Sequence, residues 1–128
     1  MNKPEITMKS LTPILRIFDE SKAREFYLSF LGFVLDWNHR FEENMPLYMQ
    51  ISYHNCIIHL SEHHGDCCPG AAVRIEVGNI ESFHSQLLSK DYKYARPDIE
   101  ETPWKTKELC IHDPFGNRII FFESTSSS

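Results

Sequence analysis

The sequence predicts an α+β fold in which one pattern, βαβββ, is used twice. Three observations carry this. Each half opens with an apolar strand that leads into residues at helical spacing, and three strand-like segments follow in each half. The last two strands are joined by Asp113, Pro114, Phe115 and Gly116, which supply in order the capping acid, the fixed φ and the final glycine that a type I turn favours.

In the first half, residues 12–18 read as a strand and Asp19 as a helix cap. Ala23, Phe26, Tyr27, Phe30 and Leu31 then recur at helical spacing until Gly32 supplies the stop. Strands are expected at about 33–38, 47–53 and 56–62, the last two joined tightly at His54 and Asn55. The second half repeats the order with a strand at 71–77, Asn79 as cap, a helix carrying Ile80, Phe83, Leu87 and Leu88, and strands at about 92–96, 107–112 and 117–123. The chain therefore divides into module one at about 11–62, a linker at 63–70 containing Pro69 and two glycines, and module two at about 71–123. A serine-rich tail at 124–128 is expected to be disordered. At 128 residues, the two modules are expected to share one domain spanning 1–128.

Composition bounds the partners. The formal charge of -5 and the lack of any run of Lys and Arg argue against nucleic acid and acidic membranes, and mildly favour a neutral or cationic partner. Cys56, Cys67, Cys68 and Cys110 show no C-x-x-C spacing, and no N-terminal segment reads as a signal peptide or membrane span, so a reduced, cytoplasmic protein is expected.

Strand alternation then sorts the side chains. With Ile58 and Leu60 packed on a helix, Ile57, His59 and Ser61 share the other face; with Val73, Ile75 and Val77 inward, Ala72, Arg74 and Glu76 lie opposite. The same logic adds Thr12 and Ile14, then Glu108, Cys110 and His112, then Ile120 and Phe122. The run Ile119 to Phe122 is apolar on both faces, so the last strand is expected to be covered by helix on one side and enclosed on the other. His59 and Arg74 are expected to meet on the concave surface. Trp37, Tyr48 and Trp104, large aromatics with a polar atom near strand ends or in loops, are recognition candidates.

Two tandem βαβββ modules, with Phe26-Tyr27 and Leu31-Gly32-Phe33 in the first and Asp113-Pro114-Phe115-Gly116-Asn117 closing the second, resemble the vicinal oxygen chelate superfamily of glyoxalases, extradiol dioxygenases and bleomycin resistance proteins. The resemblance implies sheets curled into an open barrel. Metalloenzymes of that superfamily hold one divalent ion with His and Glu side chains from the first, fourth, fifth and eighth strands. Those positions fall on Thr12, His59, Arg74 and Ile120, of which only His59 carries a suitable donor. The resemblance thus points to the bleomycin resistance branch, with no metal or other cofactor. There a homodimer holds a drug in grooves at its interface without altering it, and Trp37 falls where that branch stacks an aromatic on planar heterocycles. Arg74 departs from the pattern, standing where an aromatic is expected, and a cationic drug would meet its charge unless Glu76 or Glu108 balances it.

Each candidate also has a plainer role. His59 can be a histidine hydrogen-bonded to Thr12 or a backbone carbonyl, and Trp104 an anchor packing its own loop. Arg74 inside a barrel requires a carboxylate partner, with Glu108 the internal candidate and an anionic ligand the alternative. His63, His64, Asp66, Cys67 and Cys68 match no established metal spacing.

The resulting expectation is a non-catalytic protein that sequesters an antibiotic or toxic compound, bleomycin-like in chemistry, in a groove at a homodimer interface. Trp37, Tyr48, His59, Arg74, Trp104 and Glu108 are its ligand-binding residues. The alternatives are a divergent metal-dependent lyase or isomerase using His59, and a metabolite-binding module.

Overall fold

The computed structural model describes residues 4–125. Pro13 has no N–H to give a ladder, but its carbonyl accepts from His59 N at 3.0 Å, and Ile17 N donates to Ser61 O at 2.9 Å. Between these two bonds lies β1 (Ile14–Arg16), parallel to β4 (Cys56–Ser61). Asp19 caps α1 (Glu20–Ala23), its carboxylate accepting from Lys22 N at 2.9 Å, as its place ahead of the apolar stripe predicts. Beyond Ala23 the turns widen into a π-helix over Arg24–Phe30, closed by Leu31 N bonding Phe26 O at 2.9 Å. Phe26, Tyr27 and Phe30 are all buried by it. Gly32 then turns the chain at φ +91°, where any Cβ would be strained and would press on the Tyr53 ring.

β2 (Val34–His39), β3 (Tyr48–Tyr53) and β4 form an antiparallel meander, with His54 at φ 54° in the turn between β3 and β4. The sheet order is β1-β4-β3-β2. Module two repeats it as β5-β8-β7-β6, from β5 (Ala72–Glu76), β6 (Ile99–Glu101), β7 (Thr106–His112) and β8 (Arg118–Ser124), with α2 (Ile80–Ser89) after β5. The result is an α+β fold of two open four-stranded sheets, neither closed into a barrel. Among the described residues no helix is long and apolar enough to cross a membrane.

Three local expectations are corrected. The sixth strand lies at Ile99–Glu101 and pairs with Lys107 to Leu109, whereas residues 92–96 form turns. Tyr92 is instead drawn onto the first helical segment, stacked on Phe30 with centroids 4.6 Å apart, and Pro97 separates it from the strand that follows. Asn79 does not cap α2 with its side chain; it sits at φ 62°, and Glu123 at the end of β8 accepts from Asn79 N and Ile80 N at 2.9 and 3.0 Å. These backbone donors hold the Glu123 carboxyl below its ordinary range. Finally, β8 continues through Ser124; the rest of the expected tail, from 126 onward, lies outside the described residues.

The Asp113 to Asn117 turn joins the modules as well as two strands. Asp113, 6% exposed, accepts from Phe115 N, Asn117 N and Asn117 Nδ2, each at 2.8 Å, and from the Tyr27 hydroxyl of module one at 2.6 Å. Asn117, wholly buried, donates to Arg16 O at 2.8 Å and accepts from Ala71 N at 3.2 Å. Burial and the adjacent Asp113 raise the Tyr27 phenol well above its ordinary pKa, so it remains the donor.

Candidate functional site

Each sheet buries one face. In the first, Leu15, Met49, Ile51, Ile58 and Leu60 join the core; in the second, Leu109, Ile111, Ile119 and Phe121 do. The opposite faces carry the candidate residues, because Cβ direction alternates along a strand. Ile120 and Phe122, expected to be enclosed, are half-buried on the open face of the second sheet.

On the first sheet, Ile14, His59 and Gln50 are successive cross-strand partners, and Trp37 is the partner of Gln50. Strict alternation from Leu35, which pairs with core Ile51, would send Trp37 inward; a register shift between Leu35 and Trp37 turns it to the open face. There it is 44% exposed, its ring stacked on Tyr48 (6.0 Å, 12°) and met edge-on by His59 at 5.4 Å. The Tyr48 hydroxyl lies 2.7 Å from His59 Nδ1, and His59 Nε2 lies 2.9 Å from Gln50 Oε1. The Gln50 amide nitrogen donates to Asp36 at 3.0 Å. These bonds assign one direction to the chain: the phenol donates to Nδ1, Nε2–H to the Gln50 carbonyl, and the Gln50 amide to Asp36. Burial lowers the His59 pKa from its ordinary value, which favours the neutral ring that this direction uses, with both nitrogens engaged. Its partners are Tyr48 and Gln50 rather than Thr12 or a backbone carbonyl.

On the second sheet, Arg74 is half exposed and reaches Glu108 with two nitrogens, at 2.9 and 3.4 Å. Its guanidinium lies 4.5 Å above the Phe122 ring. Glu108 also accepts from Trp104 Nε1 at 3.1 Å and Thr106 Oγ1 at 2.9 Å. These donors, Arg74 first, pull its carboxyl down to about 2. Arg74 is thus paired with Glu108, as expected, but on an exposed face rather than inside a barrel, and Trp104, 64% exposed between β6 and β7, reaches the same acid.

The candidates therefore form two sets: Trp37, Tyr48 and His59 on one sheet, Arg74, Trp104 and Glu108 on the other. The expected meeting of His59 and Arg74 does not occur: His59 is bonded to Tyr48 and Gln50 and Arg74 to Glu108, and among the described residues no hydrogen bond or ion pair links the two sets. None of the six lines the cavity of about 410 Å³ found between the modules. Sequence reasoning missed Gln50, Asp36 and Thr106 as members of these networks, and placed Phe122 on the right face without naming its contact with Arg74. Alternation from Tyr48 would have yielded Gln50.

The glyoxalase-type metal positions do not fit a metal. Thr12 is exposed and precedes β1, Ile120 is the cross-strand partner of Arg74, Arg74 is a cation paired with Glu108, and both nitrogens of His59 are engaged. Among the described residues no group of three or more His, Cys, Asp or Glu side chains is placed to hold an ion, and that includes His63, His64, Asp66, Cys67 and Cys68 of the linker. There Asp66 instead accepts from Ser61 Oγ at 2.6 Å.

This architecture recurs in solved structures. The bleomycin resistance determinant encoded on transposon Tn5 shares 17% identity and a TM-score of 0.72, covering 93% of this chain and 100% of that one. A bleomycin-binding protein in complex with bleomycin shares 18% identity and a TM-score of 0.68, covering 91% and 99%. A glyoxalase-related enzyme from Clostridium phytofermentans shares 19% identity and a TM-score of 0.72, covering 95% and 99%. At these identities the likeness shows the fold. No curated protein matches the sequence. A family model described as "Glyoxalase superfamily protein" matches residues 2–128, and with nearly the whole chain matched, the protein belongs to that family.

Proposed function

We propose that this protein is a non-catalytic binder of small planar molecules, acting as a homodimer whose groove is formed by the two open sheet faces. The carrying observation is the first of those faces. Trp37 and Tyr48 offer stacked, accessible rings, while His59 has both nitrogens engaged by Tyr48 and Gln50 and so serves as a fixed polar wall rather than a metal ligand. Bleomycin binding by a protein of the same fold supports a bleomycin-like ligand. So does the second face, where Glu108 neutralises Arg74 and removes the barrier to a cationic drug. Sequestration, as in a resistance protein, is the corresponding role.

Calorimetry with bleomycin tests this. Micromolar heat, weakened by about 1–3 kcal/mol in Trp37→Ala, is expected if Trp37 is a central contact. One tightly held divalent ion per subunit, removed together with an enzymatic activity, would overturn the reading.

A further inference from the structure

Arg16 closes β1, and its charge is unanswered within the chain. Leu15 and Ile17 enter the core, so Arg16 and Phe18 project together to the other side. The Arg16 carbonyl accepts from Asn117 Nδ2 at 2.8 Å, which fixes its backbone to the turn of module two. Its guanidinium lies 4.7 Å from the centroid of the Phe18 ring, and that ring lies 6.1 Å from Phe115 of the same turn. Stacking of this kind covers a face of the guanidinium and leaves its in-plane N–H donors to bond something else. Nε is buried without a hydrogen-bond partner, and among the described residues no carboxylate lies within ion-pair distance of the group. Ser61, its cross-strand partner, donates to Asp66 and so commits the acid of the neighbouring linker. An unpaired buried donor on a charged group is costly, and points to an acceptor from outside the chain.

Arg16 and Phe18 line an open cleft of about 400 Å³ with Arg40, Asn44 and Glu62, and none of the six ligand-binding candidates lines it. Arg40 is held by Met45 O and Glu20, both at 2.9 Å, with Glu62 at 3.9 Å. Those contacts use only part of its five donors, so Arg40 is neutralised yet still able to donate. Glu62 is itself engaged by Leu47 N at 2.9 Å, and Glu42 and Glu43 do not line the cleft. The unbalanced charge is therefore that of Arg16. We propose that this cleft binds a small oxyanion, a phosphate or carboxylate group, with Arg16 as its two-pronged anchor and Asn44 and Arg40 as flanking donors. A guanidinium held flat on a ring offers parallel N–H bonds that match two oxygens of such a group. In a chain of formal charge -5 no long-range field recruits an anion, so the affinity rests on this local fork.

Probes without a ring test this apart from the stacking surface at Trp37: inorganic phosphate, acetate and chloride, titrated into the full chain at constant pH and ionic strength. Arginine Nε–Hε and backbone amide signals are followed by NMR. Phosphate is expected to shift the Arg16 Nε–Hε signal and the amides of Phe18 and Asn44, saturating in the millimolar range. Acetate should move the same signals, and the tighter of the two assigns the anionic group as phosphate or carboxylate. Chloride, which cannot accept the fork, should move none of them. Arg16→Lys keeps the charge but loses the fork, and should weaken binding about tenfold, the scale of one charge-assisted hydrogen bond. Arg16→Gln should abolish the shifts, whereas Arg96→Gln, which removes the same charge outside the cleft, should leave them intact. Where an Arg16 variant fails to fold, the wild-type Arg16 signal decides alone. No shift of that signal at tens of millimolar phosphate, equal shifts with chloride, persistence of binding in Arg16→Gln, or shifts centred on Trp37 and Tyr48 would each overturn the proposal.

Discussion

The two open faces occupy equivalent places in two copies of one pattern, yet they are built from opposite chemistry. The first is a neutral relay, in which a phenol, an imidazole and an amide pass hydrogen bonds in one direction to Asp36. The second is an ion pair, with Glu108 gathering donors from Arg74, Trp104 and Thr106. The repeated fold therefore dictates where an open sheet face lies and leaves its polarity to individual side chains. A ligand held between the faces would meet stacked rings on one side and a neutralised guanidinium on the other.

Both faces depend on the seam that holds the modules together, and removing the seam is the harshest test of their independence. Asp113→Ala strips four donors of their acceptor, including the buried Tyr27 hydroxyl, and is expected to cost about 3 kcal/mol of stability. Thermal or denaturant unfolding would measure it. A loss below about 1 kcal/mol would show that the Asp113 bonds at this seam carry little of the stability.

The tryptophans sharpen the comparison, because the chain has two and each reports one face. For a planar ligand, Trp37→Ala is expected to weaken binding more than Trp104→Ala. Trp37 is fixed against Tyr48 and His59, whereas Trp104 is 64% exposed and held by one hydrogen bond to Glu108. Calorimetry with both variants checks the order, and the reverse ranking would move the binding centre to the second sheet.

What was legible in the sequence follows from how local each signal is. Asp19, Gly32 and Asp113 act on backbone within a few residues of themselves, the acids through their carboxylates, and those local roles could be read directly. Alternation placed His59, Arg74 and Glu108 on open faces, because β4, β5 and β7 are regular. Trp37 reaches its face only through a register shift whose cause lies in the pairing of β2 with β3, so no periodicity in β2 alone reveals it. The cap of α2 was equally hidden. Asn79 has the right chemistry at the right place, but the left-handed backbone after Gly78 leaves the cap to Glu123, more than forty residues away. The 92–96 segment was misread because Tyr92 satisfies an aromatic cluster in the other module rather than a strand pattern in its own.

Acid separates the two faces with the smallest perturbation. The His59 pKa is depressed by burial, so the unfolded chain takes up the proton first and the contribution of the relay falls as pH drops below about 6.5. Protonated Nδ1 can no longer accept from Tyr48, and the imidazolium then lies against the Trp37 ring. Glu108 is depressed from 4.5 to about 2, so its contribution is fully present above the ordinary carboxylate range and is lost only as pH falls towards 2. Two single-tryptophan variants make this visible. In Trp104→Phe, the emission of Trp37 is expected to change with a midpoint below 6.5, whereas in Trp37→Phe the emission of Trp104 should stay level from pH 8 to about 4.5 and change only below it. A common midpoint for both would mean that the faces titrate as one unit, and the relay and the ion pair could no longer be treated as separate surfaces.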